Sequence, residues 1–380
     1  MSQRPTPLTG VKVLTVAEQY PGPLCAQLLA DLGADVIQLE RPGAGDPARV
    51  ANPWLFRATN TNRRSIALNL KDQRGLAVAR QLIKQSHIFL EGYRPGTIAR
   101  LGLDYESVRA FHPSVVYCSI SGFGQDGPYA DVIGHNINYE SVAGMLDTYV
   151  DGTDPEFYFA SPTPFGDVMS GALAALGVVA ALRQAERDGA GAYLDISITE
   201  ALLVALIPDI TRGMNSDHGW HRYEAGYGLF RTKDAYLALG IAHEEPFWAA
   251  LCRIADLAEL AGYDHDERLR RRTEIKAALQ SRLAQRTTAE WLELFGTEVP
   301  GTPVYRLREA AGDPHLSARG LFATATDEQG RPFRTVLTPF SRQALGDPGP
   351  LRVESVGEST LSVLREEGVS EDDIAALGLT

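Results

Sequence analysis

The sequence predicts an α/β protein whose N-terminal part is a doubly wound parallel sheet. Strand-like apolar runs alternate with segments of helical spacing over the first 120 residues, which is typical of consecutive βαβ units. The chain has 380 residues, more than one hydrophobic core usually organises. We therefore expect a large α/β domain and a smaller second domain.

The first βαβ unit is predicted between residues 11 and 40. Residues 11–16 form an apolar run, a Pro/Gly turn breaks it, residues 24–34 have helical spacing, and residues 35–40 are again strand-like. The alternation continues with strand-like segments at 64–70, 87–92 and 114–120 and a helical segment at 73–86.

A long apolar helix is predicted over residues 168–187, and its many small side chains indicate a buried central helix. A further strand and helix lead to residue 207, and the polar, irregular residues 208–226 are predicted to be a linker. We expect a large domain at 1–207 that the C-terminal segment 330–380 completes, and a small domain at 227–329. The small domain begins with hairpin character at 228–242 and continues as mainly helical sequence.

Composition excludes several classes of protein. The net charge of −12 and the pI near 5.2 argue against a nucleic-acid partner, which needs a concentrated basic surface. Apolar runs stay below the ~18 residues of a membrane span, so no membrane association is expected, and the start of the chain resembles no export signal. We therefore expect a cytoplasmic protein. Its 3 cysteines are far apart and predict neither a disulfide framework nor a metal site.

The segment "GFGQDG", residues 122–127, matches the G-x-G-x-x-G pattern of dinucleotide-binding folds. In those folds the glycines open a long helix in the first βαβ unit. Here Pro128 and a polar loop follow the glycines. The segment is therefore predicted to be a glycine-rich turn.

Basic side chains recur beside the predicted strand ends. Each one alone is typical of a solvated surface charge, but together they favour a phosphate-rich ligand along the sheet edge. They are Arg41, Arg63, Arg64, Lys71, Arg94 and Arg100.

Two further residues are candidates for chemistry. His135 lies in the polar turn "GHNINY", where it is either a hydrogen-bonded loop residue or a proton-transfer group. Asp167 directly precedes the long apolar helix, where its carboxylate is either an N-cap or a nucleophile or base. The residues alone leave both alternatives open.

A family resemblance runs nearly end to end and is carried by several motifs in order: "GADVIQLERPGAGDPAR", "NTNRRSIALNLK", "YRPGTIARLGLDYESV", "GFGQDGPY" and "FGDVMSGALAALGVVAALRQAERDGAGAYLDISITEALL". In these segments the chain resembles the family III CoA-transferases and alpha-methylacyl-CoA racemases, the CaiB/BaiF family. The resemblance implies a Rossmann-like large domain, a smaller α+β domain and an interlocked homodimer. It also implies that coenzyme A, as part of an acyl-CoA substrate, contacts Arg41, Leu68, Lys71, Tyr93 and Arg100.

The resemblance offers two activities. In the transferase branch the aspartate that matches Asp167 is a nucleophile that forms an aspartyl-CoA thioester with free carboxylic acids as acceptors. In the racemase branch it shares proton transfer at the α-carbon of a 2-methyl-branched acyl-CoA with a histidine in a "GHDINY"-like loop. Because "GHNINY" matches that loop, we expect racemization, with CoA transfer as the alternative.

Two departures from the racemase pattern bear on this expectation. Asn136 stands where racemases carry an aspartate, so a charged neighbour of His135 is missing. The supporting glutamate of the racemases matches Glu244 when counted from "FWAAL" and Glu245 when matched by Glu-Pro; we assign Glu244 to the catalytic set with His135 and Asp167. Neither chemistry needs a metal or a redox cofactor.

Overall fold

A computed structural model describes residues 6–146, 163–216, 224–343 and 351–378. Its contacts divide the chain into two compact units. The first unit comprises Met1–Met214 with Arg319–Thr380, and the second comprises Asn215–Ala318.

The first unit is built on a parallel sheet, so the predicted α/β class is confirmed. Its strands are β1 Lys12–Thr15, β2 Asp35–Glu40, β3 Arg64–Ala67, β4 Ile88–Glu91, β5 Val116–Ser121 and β6 Ala192–Ser197, in the order β3-β2-β1-β4-β5-β6. The order reverses between β1 and β4. In open parallel sheets, ligands bind outside the carboxyl ends of the strands at such a reversal.

Helices cover both faces of this sheet. They are α1 Pro21–Asp31, α2 Ala48–Ala51, α3 Pro53–Thr59, α4 Gln73–Lys84, α5 Tyr105–Phe111, α6 Asn136–Val142, α7 Phe165–Asp188, α8 Ile198–Ala205 and α9 Ile207–Asn215. One buried core joins α1, α7 and α8 to the face of the sheet that carries Ile88 and Cys118. A second core joins α4 and α5 to the opposite face, which carries Phe89 and Tyr117.

Helix α7 is the central helix that the sequence predicts, and it packs against α1, β5 and β6. Its small residues permit a close approach to α1, since a Cβ atom on Gly171 would lie 2.7 Å from the Pro21 carbonyl oxygen. By length and composition α7 is apolar enough to cross a membrane, a test that the core helix of a soluble protein also passes. The helix begins at Phe165, so Asp167 lies inside its first turn rather than ahead of it.

The second unit contains a three-stranded antiparallel sheet of β7 Tyr227–Arg231, β8 Tyr236–Gly240 and β9 Gly301–Pro303. Its helices are α10 Glu245–Ile254, α11 His265–Arg270, α12 Arg272–Leu283, α13 Thr288–Phe295, α14 Leu307–Ala310 and α15 Pro314–Ala318. Trp248 and Trp291 are fully buried in its core.

The chain returns to the first unit at Arg319, whereas the sequence placed this return at residue 330. The returning segment forms a small sheet of β10 Phe322–Thr326, β11 Pro332–Val336 and β12 Leu351–Arg352. Its helices are α16 Pro339–Gln343, α17 Thr360–Glu366 and α18 Glu371–Ala376. Val363 and Leu364 of α17 are buried in the core beside α4.

The predicted irregular linker at 208–226 is wrong in its first part, which is helix α9. Ile210 packs against the core of the first unit, and this packing favours a helix despite the polar residues around it. Pro208 is tolerated because it lies in the first turn, where its missing N–H has no intrahelical partner to lose. Residues 217–223 of the linker lie outside the described residues.

Candidate active site

The histidine turn and the start of α7 meet through the side chain of Asn136. Its Oδ1 accepts hydrogen bonds from the backbone amides of Gly166 at 3.0 Å and Asp167 at 3.4 Å. The first amides of a helix have no intrahelical partner, so this oxygen satisfies two of them. The two segments that the sequence singled out are therefore joined.

The carboxyl group of Asp167 has an unusual environment. Burial raises its pKa from 3.8 to about 6, and the charge of Glu140 adds to the shift. The carboxylate in turn adds to the raised pKa values of the phenols of Tyr20 and Tyr139, where burial is the larger cause. Asp167 is thus half-buried and lies near two tyrosines and a second carboxylate.

Glu140 is a site residue that the sequence analysis missed. Its side chain is 1% exposed, and its Oε1 accepts a hydrogen bond of 2.7 Å from Asn136 Nδ2. Its Oε2 is buried and has no hydrogen-bond partner within the described residues. The available signal was its spacing, because residues four apart on a helix share a face and Glu140 stands four after Asn136.

His135 lies at the N-terminus of α6 and is exposed. Its backbone amide donates to Asn138 Oδ1 at 3.0 Å, which fixes the turn. Among the described residues of the first unit no carboxylate forms an ion pair with His135. Within the described residues, the histidine that does pair with a carboxylate is His265, which contacts Glu224 in the second unit.

The two candidate glutamates of the second unit differ in their partners. Glu245 forms two hydrogen bonds, of 2.9 and 3.0 Å, with the buried guanidinium of Arg268. Glu244 accepts a hydrogen bond from the amide of Ala242 at 2.9 Å, at the start of α10. Glu245 is therefore held by Arg268 of its own unit, although its side chain is 58% exposed, and Glu244 has no arginine partner among the described residues.

The residues predicted to contact coenzyme A follow three strands of the parallel sheet, β2, β3 and β4. Arg41 follows β2, Leu68 and Lys71 follow β3, and Tyr93 and Arg100 follow β4. A cavity of about 350 Å³ opens there, lined partly by Leu68. Leu68 lines this cavity, and the other four predicted contacts do not. Arg41 lies near enough to Tyr93 for its charge to oppose the raised pKa of the Tyr93 phenol.

The charged groups at this edge are only loosely held. Arg41 lies 3.3 Å from Glu18 and is more than half exposed, and Arg100 donates to the hydroxyl of Thr97 at 3.1 Å. Lys71 is exposed. Such side chains can reorient toward a phosphate.

Two arginines of the predicted basic set have another role, which corrects that part of the sequence analysis. Arg63 and Arg64 stand at the amino end of β3, away from the ligand edge. Arg63 is buried and donates to the backbone oxygens of Pro23 and Thr59. Arg64 pairs with Asp35 and Glu366. Both residues hold the fold together.

The loop after β1 contains a strained residue that the sequence did not reveal. Gln19 has a φ of 73°, a left-handed conformation that non-glycine residues seldom adopt. Its amide donates to both carboxylate oxygens of Asp46, at 3.0 and 3.2 Å. This anchor fixes the backbone immediately before Tyr20, and such strain clusters at functional sites.

The first unit thus combines an α/β fold with a half-buried carboxylate, that of Asp167, in the first turn of α7. Within the described residues, no group of three or more histidine, cysteine or acidic side chains is arranged to hold a metal ion.

Comparison with known proteins gives the family. The sequence model of CoA-transferase family III matches residues 8–349, and the chain therefore belongs to this family. It is 33% identical over 337 residues to succinyl-CoA:glutarate CoA-transferase of Mus musculus, covering 83% of this chain and 76% of the relative. It is 31% identical over 392 residues to alpha-methylacyl-CoA racemase of Homo sapiens, covering 97% of this chain and 96% of the relative.

Solved structures agree with this assignment. A CaiB/BaiF family protein from Brucella suis superposes with a TM-score of 0.82 at 27% identity, covering 96% of this chain and 100% of that one. The resemblance read from the motifs is confirmed, and the chain is an enzyme of this family. The relatives include both transferases and racemases, so the comparisons support CoA transfer at least as well as the expected racemization.

Proposed function

We propose that this protein is a CoA-transferase that moves coenzyme A from an acyl-CoA to a free carboxylic acid through Asp167. The observation that carries the proposal is the environment of Asp167, whose pKa of about 6 leaves it ionised at neutral pH yet more basic than an ordinary aspartate. This reverses the order of the two activities expected from the sequence.

The reaction is a sequence of acyl transfers in which every bond broken is matched by one formed. Asp167 attacks the thioester carbonyl, the C–S bond breaks, and CoA thiolate leaves an acyl-aspartyl anhydride. The thiolate then attacks the Asp167 carbonyl, giving an aspartyl-CoA thioester and the free donor acid. An acceptor carboxylate repeats the two steps in reverse and departs as the new acyl-CoA. Coenzyme A enters with the substrate, and no further cofactor is required.

The start of α7 suits this chemistry. Negative charge on Asp167 is favoured by the helix N-terminus, whereas burial and Glu140 oppose it. These opposing effects keep the Asp167 carboxylate ionised but poorly stabilised in the resting enzyme. Attack on the thioester therefore removes an unfavourable negative charge. A nucleophile raised in basicity in this way gains reactivity without a separate base.

The surroundings of His135 favour transfer over racemization. The resembling racemase loops carry an aspartate directly after the histidine, and a carboxylate there would raise the basicity of the imidazole. Asn136 is uncharged, and both ends of its amide are occupied by Glu140 and by the amides at the start of α7. In the proposed transferase His135 lines the acyl pocket. Racemization by His135 and Asp167, supported by Glu244, is the second candidate, because the histidine turn adjoins the start of α7.

Coenzyme A is proposed to bind at the carboxyl edge of the sheet, with Arg41, Lys71 and Arg100 toward its phosphates. Leu68 is 2% exposed and lines the adjoining cavity. Burial raises the pKa of the Tyr93 phenol to about 12, so it remains a neutral hydrogen-bond donor. Charge reversal at Arg100 is expected to raise KM for the acyl-CoA with a smaller effect on kcat.

The assembly is proposed to be an interlocked homodimer. Large apolar side chains are exposed on α6, α8 and α9 and in the turn before α6, and such patches mark protein interfaces. They are Ile133, Ile137, Leu203, Val204 and Ile207. Light scattering should give twice the chain mass of 41.3 kDa. Two differently tagged versions should exchange subunits only after unfolding and refolding; exchange between folded dimers would contradict interlocking.

One experiment separates the two activities. The protein is incubated with succinyl-CoA and glutarate, the substrates named for the mouse relative, and separately with a single epimer of a 2-methylacyl-CoA in deuterated buffer without an acceptor acid. Formation of a new acyl-CoA supports transfer. Deuterium at the α-carbon with loss of optical purity, without transfer, would overturn the proposal in favour of racemization.

A trapping experiment identifies the nucleophile. Hydroxylamine added during turnover should convert Asp167 to a hydroxamate that mass spectrometry locates in the peptide carrying α7. The Asp167→Asn variant is the control, and it should remain unmodified. Modification at another carboxylate would contradict the role of Asp167 while leaving the transferase assignment intact.

A further inference from the structure

The backbone amides nearest to Asp167 already have acceptors. The amides of Gly166 and Asp167 donate to Asn136 Oδ1, and the amide of Val168 donates to the Pro164 carbonyl oxygen at 3.1 Å. Attack on a thioester places negative charge on the carbonyl oxygen, and enzymes stabilise such charge with hydrogen-bond donors that are already in place. These three amides cannot serve as that donor without giving up an existing hydrogen bond.

The two phenols near Asp167 differ in their hydrogen bonds. The hydroxyl of Tyr139 donates to the Gly134 carbonyl oxygen at 2.5 Å. Tyr20 is half-buried, and its hydroxyl makes no hydrogen bond with any described residue. A phenol that stays neutral keeps its O–H as a donor. Of the two, Tyr20 is therefore the residue with a donor available to a ligand.

Helix packing brings Tyr20 and Asp167 to the same contact. A Cβ atom on Gly171 of α7 would lie 2.7 Å from the Pro21 carbonyl oxygen and 3.1 Å from Leu24 Cβ, so this face of α7 touches the start of α1. Residues four apart on a helix share a face, so Asp167 lies on this face, one turn before Gly171. Tyr20 directly precedes Pro21, and its carbonyl oxygen accepts the Leu24 amide at 2.8 Å. Both residues therefore adjoin the contact between α1 and α7.

The backbone on both sides of Tyr20 is fixed. Before it, Gln19 is held in its left-handed conformation by the fully buried carboxylate of Asp46. After it, a Cβ atom on Gly22 would lie 2.2 Å from Ala17 Cβ, so the turn folds tightly on itself. A donor held in this way needs little reorganisation when charge develops beside it. The strain at Gln19 thus has a use in positioning the residue that follows.

The geometry points to Tyr20 as a further catalytic residue, whose hydroxyl donates a hydrogen bond to the acyl carbonyl oxygen while Asp167 attacks the thioester. This inference rests on the proposed transfer reaction and adds a second residue to it. Tyr20 lies near Asp167, yet no hydrogen bond joins its hydroxyl to the carboxylate. The thioester carbonyl group can therefore lie between the two side chains, with its carbon toward Asp167 and its oxygen toward Tyr20.

Tyr20 acts by a hydrogen bond and transfers no proton. An oxygen of Asp167 forms a bond to the carbonyl carbon, and the π electrons of the C=O bond move to the carbonyl oxygen, which accepts the Tyr20 hydrogen bond. When the C–S bond breaks, the C=O bond re-forms and CoA thiolate leaves. Burial, together with the charge of Asp167, raises the pKa of the Tyr20 phenol, so the phenol keeps its proton at neutral pH.

Tyr20→Phe removes the hydroxyl and keeps the ring. We expect kcat for transfer from succinyl-CoA to glutarate to fall about 10²–10³-fold, the loss typical of one donor to a developing oxyanion, with KM for the acyl-CoA changing less than kcat. Hydroxylamine should still modify Asp167, since the nucleophile is intact. The matched control is Tyr105→Phe on α5, because Tyr105 is also half-buried with an unpartnered hydroxyl but packs on the opposite face of the sheet from α7. Its kcat should equal that of the parent protein.

A binding measurement needs no turnover and so separates this inference from the proposed function. Two analogues of succinyl-CoA are compared by calorimetry: a ketone in which CH₂ replaces the thioester sulfur, and S-(3-carboxypropyl)-CoA, in which CH₂ replaces the carbonyl group. Tyr20→Phe should bind the ketone about twofold to tenfold more weakly than the parent protein, and the thioether equally well.

The outcomes distinguish the two proposals. A selective loss of ketone affinity in Tyr20→Phe would support the role of Tyr20 even if the parent protein transferred no coenzyme A, a result that would reject only the proposed function. Equal affinity of the parent and Tyr20→Phe proteins for the ketone would overturn the inference. So would an equal loss for both analogues, since the hydroxyl would then merely shape the pocket, and so would transfer by Tyr20→Phe at the parent rate.

Discussion

Glu40 and Glu140 are both buried glutamates of the first unit, 2% and 1% exposed, but their surroundings differ. Glu40 accepts two hydrogen bonds from Arg49, one from Ser65 and one from the amide of Asp46. Burial alone would raise its pKa, but these partners outweigh burial and hold the pKa below its ordinary value. Glu140 has one neutral partner, Asn136, and one unpartnered oxygen.

The difference teaches how to separate structure from function among buried acids. A carboxylate whose oxygens are all satisfied, as in Glu40, stabilises the fold by its bonds. A carboxylate left partly unsatisfied, as in Glu140, acts on a neighbouring group through its charge, here by adding to the raised pKa of Asp167. The proposed active site is therefore the place where the fold leaves charge uncompensated.

The largest expected effect is on Asp167, the residue that receives this charge. We expect Asp167→Asn to lower kcat by at least about 10⁴-fold, since the nucleophile is lost, while coenzyme A binding by calorimetry is retained. Residual transfer within about tenfold of the parent would contradict the covalent route.

Stability provides the control for this variant. Burial raises the folded-state pKa of Asp167 above its ordinary 3.8, so protonation stabilises the fold at low pH and that stabilisation is lost as the pH rises through about 6. Asp167→Asn should therefore unfold at higher urea concentration than the parent at pH 8 and show no such gain below pH 4. A loss of stability at pH 8 would mean that inactivity reflects misfolding.

The sequence was sufficient for the framework of the fold and for part of the site. Strand-like apolar runs alternating with helical spacing located β1 to β5 and α7, because each of these elements buries a continuous apolar surface. The motifs also led to the turn of His135 and to Asp167, which the structure joins through Asn136.

What the sequence could not reveal depends on three-dimensional packing. Arg63 and Arg41 look alike in sequence, yet one stands at the amino end of its strand and is buried, while the other stands at a carboxyl end and is exposed. Glu140 resembles a surface residue until α6 packs against α7.

Glu40→Gln tests the buried carboxylate whose oxygens both have hydrogen-bond partners. The substitution leaves the guanidinium of Arg49 buried without its carboxylate partner, and we expect a loss of about 3 kcal/mol in the free energy of unfolding at pH 7. Urea denaturation measures the loss. The matched change Glu140→Gln should cost clearly less, because only one neutral hydrogen bond is at stake; equal losses would remove the distinction between the two acids.

Asn136→Asp increases the uncompensated charge. The new carboxylate would face Glu140 Oε1, where Asn136 now donates at 2.7 Å, so we expect a loss of about 1–2 kcal/mol of stability. The added charge should also raise the pKa of Asp167 further, moving the acid limb of the pH–rate profile for transfer upward from about 6. Appearance of α-proton exchange in this variant would instead favour the racemase assignment, in which an aspartate beside His135 makes it a stronger base.

Glu140→Gln should give the smallest effect and the opposite sign. Removing the negative charge leaves burial as the cause of the raised pKa of Asp167, so the acid limb should move downward from about 6. Transfer at pH 5, relative to pH 8, should rise severalfold as more Asp167 is ionised, and rates at pH 8 should change little. Because Asn136→Asp and Glu140→Gln alter charge at adjoining positions in opposite directions, opposite shifts would identify charge as the cause. Shifts of the same sign would indicate that both variants merely disturb the packing of α6 on α7.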